Sequence, residues 1–214
     1  MQIEHAEHTL ETIRTLMERS QRYEHISGLG GLIAGGVVCA GGATLAAGWL
    51  PFGENINFAV VWMVVFAVAS IAQCLLTFVR ARQRKEPVWS RQARTVTLAL
   101  LPGVLASGVI TLLMARMGRL DLLPGLWLLL YGCAALTTSF FAPRSIGRLG
   151  AVCLALGAIS LLLPHASPVS TMVVGFGLTH LAYGAAVLLA ERRHEREQAF
   201  WSEIQRLAEN EYFG

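Results

Sequence analysis

Charged residues are scarce in this sequence of 214 residues. Asp, Glu, Lys and Arg together make up 14% of the chain, whereas a soluble domain carries about 25%. Apolar residues reach 54%, the mean hydropathy is +0.53, and the apolar excess extends over almost the whole length. Because no stretch remains for a separate soluble catalytic domain, we expect an integral membrane protein.

Catalytic motifs and deeply placed charges are also missing. No G-x-G-x-x-G, Walker A, H-E-x-x-H or G-x-S-x-G string occurs, and no carboxylate for acid–base chemistry lies deep in an apolar stretch. Proton and cation carriers usually keep an acidic residue at membrane depth. The sequence therefore predicts a protein that is not an enzyme, and it argues against ion-coupled transport.

The cysteines and histidines offer little for metal or redox chemistry. The four cysteines lie inside apolar stretches and form no C-x-x-C pair, so a disulfide, a thiol redox centre and a zinc site have no support. Bis-histidine haem ligation needs two histidines at matching depth, and His180 alone lies deep in an apolar stretch. We expect no metal and no cofactor.

Six apolar stretches are long enough, or nearly so, to cross a hydrocarbon core, which takes about 20 helical residues. They cover residues 26–50, 58–79, 95–115, 122–142, 146–163 and 169–190. They lack the apolar–polar alternation of barrel strands. The sequence thus predicts an all-α bundle of six transmembrane helices over residues 26–190, flanked by segments 1–25 and 191–214.

The basic residues between these spans set an orientation. With the N-terminus inside, 15 of the 17 Lys and Arg residues fall on the cytoplasmic side, and only Arg116 and Arg119 fall outside. Cytoplasmic loops carry such an excess of basic residues. We therefore expect a multi-pass protein of a bacterial-type inner membrane with both termini in the cytoplasm.

Both flanking segments have the pattern of amphipathic helices. Apolar residues recur there at intervals of three and four, which gives a narrow apolar seam on a helix, and the second segment can continue the sixth span without a break. The seams contain Ile3, Leu10, Ile13 and Met17 before the spans and Phe200, Trp201, Ile204 and Leu207 after them.

The charges of these segments favour a protein partner over the membrane surface. Each segment has a net charge of −2, whereas the loop over residues 80–94 has +5. Helices that lie on a membrane surface are rich in Lys and Arg. We expect the two segments to pack on each other and on the basic loop, or to hold a partner subunit.

Glycines are concentrated in the first span, which holds eight of the 21. Small residues let helix backbones approach each other in lipid. The stripe consists of Gly28, Gly31, Gly35 and Gly42, and Gly177 and Gly184 give the last span a matching small-residue face. The first stripe predicts close helix packing, either inside the bundle or at a homodimer seam.

His180 lies near the middle of the last span. Ionisable residues at that depth are costly and often functional, and Tyr131 and Gln73 are polar residues that could line a pathway with it. The other interpretation is a neutral imidazole bonded to Tyr131, to a threonine or to a backbone carbonyl. A water-accessible void at His180 favours a pathway, whereas packing against glycine and leucine favours a structural role.

Two functions follow from these features. The first is a non-catalytic structural or regulatory subunit that lies in the lipid bilayer and joins copies of itself, a larger membrane complex or a cytoplasmic protein through its terminal helices and glycine-rich first span. The second is a small permease or channel for a neutral or weakly polar solute. An intramembrane enzyme or redox subunit using His180 is a distant third, and nothing in the sequence indicates nucleic-acid binding.

Overall fold

The computed structural model describes residues 28–50, 54–83, 87, 89–163 and 167–213, and this part of the chain is helical without a strand. The helices are α1 (Gly28–Ala46), α2 (Glu54–Gln83), α3 (Arg91–Arg116), α4 (Leu123–Thr138), α5 (Arg144–Leu162) and α6. The last of these, α6, joins three segments end to end: an α-helical turn (Pro168–Met172), a π-helical turn (Val173–Leu178) and a long α-helix (Thr179–Phe213).

Six of these helical stretches are long and apolar enough to cross a membrane, which confirms a multi-pass helical membrane protein. They cover Gly28–Ala46, Asn57–Gln83, Ala93–Arg116, Leu120–Thr138, Arg144–Leu162 and Pro168–Ile204. The fourth ends at Thr138 and not at residue 142, because a turn leads into Pro143, the N-cap residue of α5. The helix after residue 179 continues to Phe213, far beyond the apolar stretch.

Local chemistry sets several helix ends. The hydroxyl of Ser90 accepts a hydrogen bond from the backbone N–H of Ala93 at 3.1 Å and caps α3. After α3, Gly118 takes a positive φ of 67°, which glycine adopts without strain. Pro124 and Pro168 lie in the first turns of α4 and α6, where their missing N–H groups leave no helical bond unmade.

The helices form two groups that meet at α6. Helix α1 packs between α2 and α6, whereas α4 packs between α3 and α5, and α6 contacts both α4 and α5. Helices α2 and α3 lie at the two ends of this arrangement, and the most apolar part of α3 buries none of its residues. Their outward surfaces are therefore apolar and uncovered, as a surrounding bilayer requires.

Glycine packs against glycine between α1 and α6, which run antiparallel. Gly28 lies against Gly184, and Gly35 lies against Gly177. A Cβ atom added to Gly28 would lie 2.8 Å from the carbonyl oxygen of Gly184, too close for any side chain. The backbones of the two helices are therefore in direct contact.

The other two glycines of the stripe on α1 also face α6. Gly31 faces the backbone of Gly184 and the carbonyl oxygen of His180, and Gly42 faces the side chain of Val173. The six glycines singled out from the sequence are all buried. Because α6 occupies this face of α1, the stripe packs inside the bundle. The same face is therefore not open to a second copy of the chain.

A second pair of helices, α4 and α5, repeats this arrangement, which the sequence pattern does not predict. Gly125 faces Gly157, and Gly132 faces Gly150, again antiparallel and spaced by seven residues. A Cβ atom added to Gly132 would lie 2.7 Å from the carbonyl oxygen of Gly150. The core of the bundle therefore contains two closely apposed helix pairs, joined where α6 meets α4 and α5.

Candidate functional site: a histidine–tyrosine pair beside a π-helical turn

His180 and Tyr131 lie in direct contact at the meeting point of α6 and α4. The hydroxyl of Tyr131 lies 2.8 Å from Nε2 of His180, and Nδ1 of His180 lies 2.7 Å from the carbonyl oxygen of Phe176. A carbonyl only accepts, so Nδ1 carries a proton. In the neutral ring, Nε2 is then the acceptor of the Tyr131 hydroxyl proton, and both ring nitrogens are used.

Tyr131 and His180 are both partly buried, beside other aromatic and aliphatic groups. The ring of Tyr131 lies 5.4 Å from that of Phe176 and 5.3 Å from that of His180, and the rings of Phe176 and His180 stack at 6.1 Å. Next to them, Gly175 packs on the fully buried side chain of Leu128. The imidazole therefore packs against the rings of Tyr131 and Phe176.

The π-helical turn immediately precedes His180 and explains several of these bonds. A π-turn carries one extra residue, which interrupts the regular i→i−4 ladder. Side chains bond to carbonyls of this turn: Thr179 donates to Gly175, the thiol of Cys153 donates to Gly175 at 3.8 Å, and His180 donates to Phe176. His180 thus helps to satisfy the backbone of α6.

Other polar side chains also pair across helices. The indole N–H of Trp127 donates to Thr111 at 2.9 Å, which links α4 to α3. The hydroxyls of Ser160 and Thr171 lie 3.1 Å apart and link α5 to α6. Inside a bundle each such bond contributes about 1 kcal/mol or less, so the two bonds add modestly to the packing of α4 on α3 and of α5 on α6.

Gln73, the third residue considered for a pathway, lies elsewhere. Its side chain contacts Gly30 on the face of α1 that meets α2, whereas Gly31 faces α6 and the carbonyl of His180. The structure therefore brings His180 and Tyr131 together and separates both from Gln73. Within the described ranges, no three His, Cys, Asp or Glu side chains cluster as metal ligands.

The C-terminal seam is exposed. Phe200 and Trp201 are 59% and 62% exposed and pack edge to face at 5.6 Å, and Ile204 is 39% exposed. The side chain of Leu207 and the N-terminal seam of Ile3, Leu10, Ile13 and Met17 lie outside the described part of the chain.

The direction of this seam follows from the contacts of α6. Gly184 faces α1, and each later residue turns by about 100° on an α-helix. Phe200 and Ile204 therefore lie roughly 160° and 200° around the helix from Gly184. The side of the seam that carries Phe200 and Ile204 therefore points away from α1.

An ion pair neutralises part of the short connection between α3 and α4. The guanidinium of Arg119 donates to both carboxylate oxygens of Asp121 at 3.1 Å, and this hydrogen bonding raises the pKa of Arg119. Arg119 is one of the two basic residues that the sequence places on the outer side.

The comparisons with known proteins assign no family to this arrangement. The chain matches no protein-family model, no curated protein and no solved structure.

Proposed function

We propose that this chain is a non-catalytic subunit of a bacterial-type inner membrane, structural or regulatory in role. Both termini lie in the cytoplasm, and the chain associates with copies of itself or with another protein there. The single observation that carries this proposal is the pairing of both nitrogens of His180 at the partly buried contact of α6 with α4. An intramembrane histidine with no free nitrogen acts as a structural element of the bundle.

The exposed seam on α6 supports the association. The part of α6 beyond residue 190 is 23 residues long, which at 1.5 Å per residue is roughly 34 Å. Exposed aromatic and aliphatic side chains on such a helix are the groups that protein interfaces bury. Because the side of the seam that carries Phe200 and Ile204 points away from α1, a protein bound there makes its contacts outside the transmembrane bundle.

The glycine contacts narrow the choice of association surface. The stripe on α1 already packs on α6, so it is not available to a second copy. We therefore assign the association to the terminal helices, with Phe200, Trp201 and Ile204 as the described part of the surface.

Paired substitutions on opposite faces of α6 test this assignment. Phe200→Glu with Ile204→Glu places two carboxylates in the seam, whereas Gln198→Glu with Ser202→Glu places two carboxylates on the other side of the same turns. Light scattering of the protein purified in mild detergent gives the mass of the particle. We expect the seam variant to lose mass relative to wild type and the control to keep it. Equal masses for the two variants would refute the assignment.

The permease remains the second candidate, and one observation favours it. π-turns occur frequently at functional sites, and this one adjoins the histidine deepest in the spans. A neutral or weakly polar solute would then pass along α6 when the contact between Tyr131 and His180 opens. Solute flux through reconstituted vesicles decides between the two functions.

A further inference from the structure

A groove of about 200 Å³ runs between α5 and the first turns of α6. Leu156, Ile159 and Leu163 line its α5 side, and Ser170, Val174 and Gly175 line its α6 side. Leu163 and Val174 are about half exposed, so the groove opens sideways, out of the bundle. It lies apart from the histidine–tyrosine pair, which does not line it.

The polarity of this groove changes along its length. At the start of α6, Ser167 and Ser170 offer exposed hydroxyls. Deeper in, the hydroxyls of Ser160 and Thr171 bond to each other at 3.1 Å, and the remaining wall is aliphatic side chain and glycine. From Ser167 to Gly175 the groove follows eight residues, about 12 Å at 1.5 Å per residue.

The size of the groove limits its occupant. Pockets for drug-sized ligands measure about 300–1,000 Å³, so this volume accepts only a slender group. Both of its walls belong to helices that are long and apolar enough to span a membrane. A groove that opens sideways from such helices faces the hydrocarbon of the bilayer, where acyl chains are the slender apolar groups at hand.

We propose that this groove binds one acyl chain of a membrane phospholipid. The ester region of the lipid lies beside Ser167 and Ser170, where hydroxyls can donate to its oxygens, and the chain runs along Val174 toward Gly175. The groove is polar at one end and apolar at the other, and a phospholipid changes from polar to apolar in the same way along its length. A helix from a second copy is the competing occupant.

Native mass spectrometry with a single phosphatidylglycerol species as the probe tests this proposal. Val174→Phe and, separately, Ser170→Phe narrow the groove from two positions on α6. The matched control is Val109→Phe, at a 67% exposed position on α3 outside the groove. All variants are purified in detergent with the same lipid, and their thermal unfolding is compared with wild type.

We expect wild type and Val109→Phe to retain one phospholipid at collision energies that strip the others. Val174→Phe and Ser170→Phe should reduce that species at least tenfold while unfolding at the wild-type temperature. If one of the two groove variants fails to fold, lipid retention by the other one tests the proposal. Retention of the lipid by a folded groove variant, or its equal loss from Val109→Phe, overturns the proposal. A fall in particle mass with unchanged lipid retention assigns the groove to a second copy.

Discussion

Gly35 and its neighbour Gly36 have opposite surroundings. A Cβ atom added to Gly35 would lie 2.6 Å from the carbonyl oxygen of Gly177 on α6, whereas one added to Gly36 would meet nothing within 4 Å. Adjacent residues on a helix point about 100° apart. One residue along the chain thus separates a crowded face of α1 from an open one.

This contrast yields a prediction for the stability of the bundle. Gly35→Leu must push α1 and α6 apart and should cost about 1–3 kcal/mol or more, as overpacking does in other cores. Gly36→Leu adds the same side chain to open space and gains helix propensity, so it should leave stability unchanged or raise it. Thermal unfolding in detergent measures both. Equal melting temperatures would contradict the direct contact of the two backbones.

The second glycine pair gives an independent prediction. Gly132→Ala places a methyl group against the backbone of α5 and should lower the melting temperature. Gly108→Ala, on the exposed surface of α3 with nothing within 4 Å, should raise stability by about 0.5–1 kcal/mol through reduced backbone entropy. A Gly132→Ala variant as stable as Gly108→Ala would show that α4 and α5 lie further apart.

Substitutions of His180 separate the structural role from a pathway. Gln keeps hydrogen-bonding capacity, so His180→Gln should fold with a loss of about 1 kcal/mol or less. His180→Leu removes the partner of the Tyr131 hydroxyl and of the Phe176 carbonyl, and should cost about 1–3 kcal/mol. The melting temperature in detergent checks this order.

Flux measured on the same variants tests the permease. Gln does not titrate, so a His180→Gln protein that folds normally but loses a pH-dependent solute flux seen in wild type would replace the structural role with a transport role. Unchanged flux, or none in either protein, supports the subunit.

Topology is predicted by the distribution of basic residues. A reporter fused after Gly214 should register in the cytoplasm, and one inserted at Gly53, between α1 and α2, should register outside. Reversing the readings of both fusions would require an inverted bundle. Reversing only one would require an even number of spans between residue 53 and the C-terminus, where the six-span topology has five.

The sequence predicted the spans well because each depends on its own composition. An uncharged apolar stretch identifies a membrane helix without knowledge of its neighbours. Five of the six stretches match the candidate spans of the structure to within about four residues at each end, whereas the sixth helix continues well beyond its apolar stretch. The bond between His180 and Tyr131 was one of several alternatives that the sequence left open, because two polar residues in different spans can meet only if the helices are neighbours.

The features that the sequence did not predict depend on which helices touch. Gly125 and Gly132 repeat at seven residues, as do Gly150 and Gly157, but the spacing alone does not pair α4 with α5. Gln73 was grouped with His180 by polarity, yet it lies on the α2 side of α1. The π-turn before His180 has no compositional signal, since its residues Val173–Leu178 are ordinary in a transmembrane helix.

One unbroken helix, Thr179–Phe213, connects the bundle to the C-terminal extension. Gly184 is fixed against Gly28, so the azimuth of Phe200 and Ile204 is set by a contact more than 20 Å away along the axis at 1.5 Å per residue. The extension cannot turn its apolar side toward a different neighbour unless the glycine contact turns with it or the helix breaks. A tilt of α6 relative to α1 likewise displaces the C-terminal end of α6, by a distance that grows with the length of the helix beyond the glycine contact.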